Sequence, residues 1–314
     1  PVPALAGRIL TRGPASHPRV FFVDSTMLAY QHAYHAGNFA DVHKHLTLFA
    51  VTHYLLRKKS PVTYIDTHAG RGSYPLDAEE TLKLEEYRHG VAPLWDERKT
   101  LGQSDPLLGE WLDRLDLAQR EARPEGKSHL AVYPGSPWWL NQALRSQDRL
   151  SLFELHPKEH DHLSGQALPD NARRIHGDGL EGLKKRLPVA TPRLCVLIDP
   201  SYERKEEYAE VAASLREIGR KARHAVVMIW YPLLPAGRHH VLLDEVKRAG
   251  LRKLWRSEFI LRDPGAASHG MYGSGMLVMN PPWGLDEMLN PTMSLIRARL
   301  APQGRHESGW WVGE

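Results

Sequence analysis

The apolar run 194–198, followed by Asp199 and Pro200, constrains the fold of this chain more than any other stretch. Five successive apolar residues, two of them β-branched, predict a strand that is buried on both faces, as in a parallel sheet. Pro200 ends the strand because its nitrogen cannot donate a hydrogen bond to a neighbouring strand. Asp199 is therefore expected at the carboxyl edge of the sheet, where open α/β sheets bind their ligands.

Three further predicted strands end in an acidic residue or just before one. They are residues 61–66, which end in Asp66, residues 150–154, which end in Glu154, and residues 172–176, which precede Asp178. Strands that alternate with helices are typical of a doubly wound sheet. We therefore predict an α/β, Rossmann-like fold with a mixed, mostly parallel sheet. Further strands are predicted at 130–133, 225–230, 254–260 and 276–280, and helices at 38–59 and 239–248.

Residues 78–127 interrupt this alternation, because they are rich in Glu and Leu and are broken by several Gly and Pro residues. We predict that they form a helical subdomain inserted into a single sheet domain, which consists of residues 27–77 and 128–314. Residues 1–26 show no periodicity and contain four prolines. We interpret them as a leader or an N-terminal extension and predict no element of the fold within them.

Composition limits the classes of protein to which the chain can belong. Hydrophobic residues make up 42% of the sequence and charged residues 25%, and no apolar run approaches the length of a membrane span. The single cysteine, Cys195, excludes a framework of intramolecular disulfides. With no recognisable secretory signal, we expect a cytoplasmic protein. The formal net charge of +4 favours an anionic partner such as nucleic acid only mildly.

Four histidines near the start of the predicted fold suggest a metal site at first sight: His32, His35, His43 and His45. His43 and His45 are two residues apart in a predicted helix, so their side chains point to different faces. No cysteine lies nearby, and the His-Glu-x-x-His pattern is absent from the sequence. We therefore expect no metal site.

The four acids at the predicted strand ends suit the parts of an adenosine-containing sulfonium compound. Acids at strand ends bind ribose hydroxyls in dinucleotide sites, and a carboxylate also accepts hydrogen bonds from amino groups. In chain order, we expect Asp66 beside the methionine moiety, Glu154 on the ribose hydroxyls, Asp178 on the adenine amino group and Asp199 facing the methyl acceptor. The residues therefore predict S-adenosylmethionine as the methyl donor.

Residues 199–202 combine an acid, a proline and an aromatic ring. The Asp199 carboxylate and the main-chain carbonyl of Pro200 can accept the two hydrogens of an exocyclic amino group, while Tyr202 stacks on the ring that carries it. A simple turn with a surface aspartate is the alternative interpretation. Asn280-Pro-Pro-Trp283 fits the general amino-methyltransferase pattern better, because it keeps both prolines. Because it lies past two more strands of the chain, we assign the reaction to Asp199.

Nine short motifs extend this set. They are Tyr-x-His-x-x-His-Ala-Gly-Asn at 30–38, Ala-Asp-Val-x-Lys-His at 40–45, Asp-Thr-His-Ala-Gly at 66–70, Tyr-Pro-Gly-Ser-Pro at 133–137, Glu-Leu-His-Pro at 154–157, Asp-Gly at 178–179, Asp-Pro-x-Tyr at 199–202, Trp-Tyr-Pro at 230–232 and Asn-Pro-Pro-Trp at 280–283. Together they resemble the RlmJ-type methyltransferases, which transfer a methyl group from S-adenosylmethionine to the N6 amino group of an adenine in 23S ribosomal RNA. The resemblance covers residues 27–314 and implies a class I S-adenosylmethionine-dependent methyltransferase, a cytoplasmic monomer that acts on 23S ribosomal RNA and binds no membrane.

The resemblance also implies a role for particular residues. Those implied to contact S-adenosylmethionine are His45, His68, Ser136, Glu154, Asp178, Gly179 and Asp199. Asp199, with Pro200 and Tyr202, is implied to be catalytic. Tyr30, His32 and Lys44 are implied to face the RNA substrate, Tyr30 by stacking and Lys44 by phosphate contact.

One departure from the family pattern leaves alternatives open. Ser201 replaces the second proline of Asp-Pro-Pro-Tyr, which frees one backbone dihedral angle and adds an N–H group to the loop. A catalytically impaired RNA-binding protein is therefore one alternative. A DNA adenine-N6 methyltransferase is another, because the Asp-Pro-x-Tyr motif is shared with such enzymes.

Overall fold

The computed structural model describes residues 30–123, 129–263, 265 and 270–314, so the predicted extension at 1–26 lies outside the described residues. The strands are β1 (Val62–Asp66), β2 (Ser73–Pro75), β3 (Val132–Pro134), β4 (Arg149–Glu154), β5 (Ala172–His176), β6 (Arg193–Ile198), β7 (Val226–Leu233), β8 (Leu254–Ile260), β9 (Gly273–Met279) and β10 (Arg305–Val312). The helices are α1 (Phe39–Leu56), α2 (Glu79–Leu84), α3 (Val91–Asp96), α4 (Arg98–Ser104), α5 (Pro106–Ala122), α6 (Ser136–Gln142), α7 (Pro157–Ser164), α8 (Gly179–Arg186), α9 (Glu207–Lys221), α10 (His239–Arg248) and α11 (Leu285–Leu300), with 3-10 turns at His32–Tyr34 and Glu86–His89.

Eight strands form one sheet in the order β10-β8-β9-β7-β6-β1-β4-β5. The strands from β5 to β7 are parallel, whereas β9, β8 and β10 are added antiparallel. From β1 the chain first builds β4 and β5 on one side, then crosses to build β6 and β7 on the other. The predicted Rossmann-like, mixed and mostly parallel sheet is confirmed. Its strand order reverses between β1 and β6, which is where doubly wound sheets bind ligands.

Helix α1 carries several of the predicted site residues, and its start is fixed locally. The Asn38 side chain accepts a hydrogen bond from the Asp41 N–H at 2.9 Å and so caps the helix. Most of the helix is buried, and it packs against β9 and α11. In the described part of the chain, no helix is long and apolar enough to span a membrane.

The segment between β2 and β3 is helical, but the strand that follows it does not join the main sheet. Instead, β2 and β3 pair with each other, with Tyr74 opposite Tyr133. The expectation that 130–133 continues the main sheet is wrong, because β1 is already paired with β6 on one side and β4 on the other. Apolar residues of α3 and α5, such as Leu94 and Trp111, lie in the same hydrophobic cluster as Leu46 of α1.

The Asn280 motif lies at the opposite edge of the sheet from Asp199. Strand β9 is antiparallel to β7, and Met279 pairs with Val227, so Asn280 is beside the start of β7. Its side-chain amide donates to the carbonyls of Arg223 (2.9 Å) and Ala225 (2.8 Å). These bonds and a left-handed φ of 51° give Asn280 a structural role.

Replacement of Asn280 by alanine should lower the free energy of unfolding by about 2–3 kcal/mol. Two hydrogen bonds are lost, at about 1 kcal/mol each, and alanine in the left-handed region adds about 1 kcal/mol of strain. Urea denaturation measures the change. Asn290→Ala is the matched control. Asn290, on α11, accepts a solvent-exposed hydrogen bond from the Ser308 hydroxyl of β10, and a surface substitution costs about 0.5 kcal/mol or less. Equal stability of the two variants would contradict the assigned role.

Candidate active site

A cavity of about 460 Å³ opens at the carboxyl edge of the parallel strands. Its volume is typical of small-ligand sites. Most of the predicted site residues line it: Tyr30, His32, Lys44, His45, His68, Ser136, Glu154, Asp178, Gly179, Asp199 and Pro200. The exceptions are Tyr202 and Asp66. Among the residues that the structure describes, no group of three or more His, Cys, Asp or Glu side chains could hold a metal ion.

Glu154 ends β4 and holds two loops at the cavity. Its Oε2 accepts a hydrogen bond from the Gly70 N–H, and its Oε1 accepts one from the His156 N–H, both at 2.7 Å. Burial raises the pKa of Glu154, against the opposing effect of these two N–H groups. Each carboxylate oxygen has a second lone pair, so the side chain can still accept hydrogen bonds from a ligand.

His45 and His68 both line the cavity with neutral imidazoles. The Nδ1 of His45 lies 2.9 Å from the Tyr133 hydroxyl, while its buried Nε2 has no hydrogen-bond partner among the described residues. Burial holds the pKa of His45 well below its usual value and lowers that of His68 to about 4. A buried polar atom without a partner beside a cavity favours a ligand that hydrogen-bonds to it.

Asp178 and Gly179 bring the loop after β5 close to the loop after β1. Asp178 caps α8 by accepting a hydrogen bond from the Glu181 N–H at 3.0 Å. A Cβ atom on Gly179 would lie 1.9 Å from the Thr67 carbonyl oxygen, so only glycine allows the two loops to touch. Because the two loops touch, Asp178 lines the cavity together with Thr67, which follows β1.

Asp66 differs from its expected place beside the methionine moiety. It is fully buried and is not among the residues that line the cavity. Its Oδ1 accepts a hydrogen bond from the His68 N–H at 3.2 Å, so Asp66 stabilises the loop that follows β1 from inside the protein. Burial raises the pKa of Asp66 to about 7. The sequence could not show this, because the last residue of a strand can point either to the edge or into the core.

Lys44 is paired with the predicted catalytic acid. Its ammonium group lies 2.6 Å from Asp199 Oδ2 and 3.0 Å from Asp41 Oδ1, and the side chain is buried. Burial alone would lower the pKa of Lys44, but the two carboxylates outweigh it and keep the amine charged. Burial raises the pKa of Asp199, and Lys44 limits that rise. The expected contact of Lys44 with RNA phosphate does not fit this placement, because the charge is already neutralised inside the protein.

Asp41, which had no predicted role, connects the N-terminal motif to this pair. Its Oδ2 accepts hydrogen bonds from the Gly37 N–H and from His32 Nε2, both at 2.9 Å. His32 Nδ1 in turn lies 2.9 Å from the Tyr30 hydroxyl. A continuous hydrogen-bonded chain therefore runs from Tyr30 to Asp199. The signal in the sequence was the i, i+3 spacing of Asp41 and Lys44 on one helix face.

Tyr202 does not lie where stacking on a base in the cavity requires. Its φ is 55°, in the left-handed region, and its ring packs 4.3 Å from that of Tyr208 with 5% of its surface exposed. Its hydroxyl donates a hydrogen bond to the Trp230 carbonyl at 2.8 Å. The turn after Pro200 thus directs the aromatic ring into the core. Trp230 lines the cavity instead.

Comparison with known proteins adds to this geometry. A family model described as "Ribosomal RNA large subunit methyltransferase D, RlmJ" matches residues 59–312. Ribosomal RNA large subunit methyltransferase J of Escherichia coli (strain K12) is 34% identical over 288 residues, which cover 91% of this chain and 99% of that protein. The Haemophilus influenzae protein of the same name is 34% identical over 289 residues, 92% of this chain and 98% of that protein. The crystal structure of protein LPL1258 from Legionella pneumophila superimposes with a TM-score of 0.80 at 32% identity, covering 88% of this chain and 98% of that one.

Proposed function

Because this chain belongs to the ribosomal RNA large subunit methyltransferase J family, we propose that it transfers a methyl group from S-adenosylmethionine to the N6 amino group of an adenine in 23S ribosomal RNA. One observation carries the proposal. The Asp199 carboxylate, at the end of β6, shares a single cavity with Glu154 and Asp178, which follow β4 and β5. Acids in this order suit a bound adenosine moiety beside a group that accepts an amino nitrogen.

The donor half of the cavity fits S-adenosylmethionine. When bound, that compound supplies an electrophilic methyl group on a sulfonium. Glu154 has lone pairs left for the ribose hydroxyls, and Asp178 has one carboxylate oxygen that is not used in capping α8. The buried Nε2 of His45 and the ring of His68 add neutral polar groups, and Ser136 adds a hydroxyl. Two carboxylates, two neutral imidazoles and one hydroxyl therefore surround this half of the cavity, and such groups suit the hydroxyl and amino hydrogens of the methyl donor.

The acceptor half is centred on Asp199. Lys44 occupies Oδ2, so Oδ1 and the Pro200 carbonyl are the acceptors available to the two N6 hydrogens. Those bonds would direct the nitrogen lone pair toward the methyl group and stabilise the positive charge that develops on the nitrogen. Carboxylates are weak bases toward amines, so we assign Asp199 an electrostatic role, with proton loss after transfer.

The loop that carries Ser201 is anchored on both sides, which favours an active enzyme over a catalytically impaired RNA-binding protein. Asp199 is held by Lys44, and Tyr202 is held by its bond to the Trp230 carbonyl. The missing proline therefore leaves the two ends of the motif in defined positions.

The proposal predicts one product. The protein is incubated with methyl-labelled S-adenosylmethionine and a 23S ribosomal RNA transcript that carries no modification, and the RNA is digested to nucleosides for mass spectrometry. Label in N6-methyladenosine is the expected result. Label in a base methylated at a ring nitrogen, in a ribose methyl group, or in no nucleoside at all would contradict the proposal.

Two finer points belong to the same proposal. We place the protein in the cytoplasm, because its proposed substrate is part of the ribosome, and we treat it as a monomer. Light scattering coupled to size-exclusion chromatography tests the second point, for which a mass near 35.6 kDa is expected. A mass of twice that value would contradict it.

Glu154 should contribute strongly to donor affinity. Replacing it by alanine is expected to weaken S-adenosylmethionine binding by about 1–3 kcal/mol, because charge-assisted hydrogen bonds to the ribose hydroxyls are lost. Isothermal titration calorimetry measures the effect.

Glu181→Ala is the matched control for this experiment. Glu181 is an exposed acid on α8 that pairs with Lys184 and does not line the cavity. Its replacement should leave donor affinity unchanged. An unchanged affinity in the Glu154→Ala protein as well would remove Glu154 from the donor site.

A further inference from the structure

We propose that Trp230 is the ring on which the target adenine stacks, the role expected of Tyr202 from the sequence. This inference rests on the proposed function, since it presupposes that an adenine enters the cavity beside Asp199. It assigns a substrate-positioning role to a residue on a different strand from the Asp-Pro-x-Tyr motif.

The sheet places Trp230 next to the catalytic acid. Strands β6 and β7 are parallel, and Ile198 pairs with Ile229, so Trp230 and Asp199 are the next residues along the two strands. Trp230 is half-buried, whereas every other residue of β7 is buried. Its ring centroid lies 5.8 Å from Lys44 Nζ, which itself contacts Asp199. An amino group held by Asp199 therefore belongs to a base within reach of the indole.

Tyr202 is hydrogen-bonded to Trp230 and does not occupy the cavity where a base would stack. The Tyr202 hydroxyl donates to the Trp230 carbonyl, and its ring lies 6.0 Å from the indole. To enter the cavity, Tyr202 would have to lose this hydrogen bond and its packing against Tyr208. The indole already lines the cavity and needs no such change. Its large π surface is well suited to stacking on a base.

A buried hydrogen-bonded chain fixes the indole. Trp230 Nε1 donates to Ser274 Oγ at 3.0 Å, and Ser274 Oγ lies 3.0 Å from His43 Nδ1. His43 Nε2 lies 2.9 Å from Ser257 Oγ, which lies 2.8 Å from His306 Nε2. Each of these contacts links a different pair of side chains from α1, β7, β8, β9 and β10.

The direction of the first bond in the chain is fixed. An indole N–H can only donate, so Ser274 Oγ accepts from Trp230. The contacts of His43 with Ser274 and Ser257 follow the tautomer of His43, since each hydroxyl can donate or accept. Burial lowers the pKa of His43 to about 3, which keeps its ring neutral, so one ring nitrogen donates and the other accepts. Ser274 and His43 are therefore positioning residues that hold the Trp230 ring in one orientation.

The test uses unmodified 23S ribosomal RNA transcript in single-turnover methyl transfer, with donor affinity measured separately by calorimetry. Trp230→Ala should slow transfer about 5- to 150-fold, which is a stacking free energy of about 1–3 kcal/mol converted at 1.4 kcal/mol per tenfold. Donor affinity should stay within about twofold, because the donor half of the cavity is unchanged. Trp230→Phe keeps an aromatic face and should retain most of the rate. Trp230→Leu, which fills more of the space, replaces Trp230→Ala if that variant loses donor binding.

Two further variants separate stacking from general damage to the fold. Trp283→Ala removes an 86% exposed indole at the opposite sheet edge and should leave the rate unchanged. Ser274→Ala should slow the wild-type enzyme but add less than about twofold on a Trp230→Phe background, which has no indole N–H to hold. Additive effects would contradict the positioning role.

The outcomes distinguish this inference from the proposed function. Wild-type transfer to adenine combined with an unimpaired Trp230→Ala protein of normal donor affinity would overturn the stacking role alone. A strong loss in Tyr202→Leu, with Trp230→Ala active, would return the role to Tyr202. Absence of transfer by the wild-type protein would overturn both.

Discussion

Replacing Asp199 by alanine is expected to abolish measurable methyl transfer, lowering the single-turnover rate by about 10²- to 10³-fold or more. In the mechanism that we propose, this carboxylate orients the N6 hydrogens and stabilises the charge on the nitrogen. Its removal also leaves Lys44 with Asp41 as its only carboxylate partner at 4 Å or less among the described residues. Methyl transfer to unmodified 23S ribosomal RNA measures the rate, and donor titration shows that the variant is folded.

Asn280→Ala is the decisive companion variant. Asn280 keeps the Asn-Pro-Pro-Trp pattern, but the structure places it at the opposite edge of the sheet, bonded to the Arg223 and Ala225 carbonyls. Its loss should cost stability and leave the rate per folded molecule unchanged. A folded Asn280→Ala protein that binds donor and transfers no methyl group, beside an active Asp199→Ala protein, would reverse the assignment.

Lys44→Met is expected to shift the acid limb of the pH–rate profile to higher pH. Burial already raises the pKa of Asp199, and the nearby ammonium group limits that rise. Without Lys44 the pKa rises further, so a smaller fraction of Asp199 is ionised near neutral pH. The rate falls about tenfold for each pH unit below the pKa, so a shift of one unit or more costs about tenfold at a fixed acidic pH. Activity should recover as the pH is raised.

The competing role of Lys44, contact with RNA phosphate, predicts a different profile. Loss of a phosphate contact would weaken RNA binding at every pH and reduce the dependence on salt concentration. Lys58→Met is the control, because Lys58 is an exposed lysine just after α1. An unshifted pH profile in Lys44→Met, with a weaker salt dependence of RNA binding, would contradict the role of Lys44 as the partner of Asp199.

The part of the fold that the sequence predicted depends on one physical regularity. Apolar runs such as 194–198 are buried on both faces, so they had to be central parallel strands, and parallel strands end at one edge. Asp199 and Glu154 could therefore be placed together from the sequence, and Asp178 followed from the alternation of strands and helices, since β5 is a partly exposed edge strand. The family resemblance of the motifs is confirmed by relatives that cover most of the chain.

The parts that the sequence missed depend on the direction of individual side chains. Tyr202 points into the core because of a left-handed φ, and nothing in Asp-Pro-Ser-Tyr shows the sign of that angle. Lys44 is typical of an exposed helix position, and its burial follows only from the placement of Asp41 and Asp199 around it. Trp230 was recognised as part of a motif, but its exposure to the cavity depends on the register of β6 and β7.

Local sequence patterns also could not predict which strands pair with each other. The run at 130–133 has the character of a strand, yet it pairs with β2 outside the main sheet. Strand β10 has mostly exposed or half-buried residues and closes the other edge of the sheet against β8, so it lacks the apolar run that identifies a central strand. Both placements depend on which neighbouring edges are free.

A choice between nucleic acids is the sharpest test of the proposed activity. Tritiated S-adenosylmethionine is supplied with unmodified 23S ribosomal RNA, with DNA of the same sequence, and with 23S ribosomal RNA that has already been fully methylated by the protein. We expect label in the unmodified RNA only. Label in the DNA at an equal or greater rate, or RNA binding without any transfer, would contradict the proposed activity.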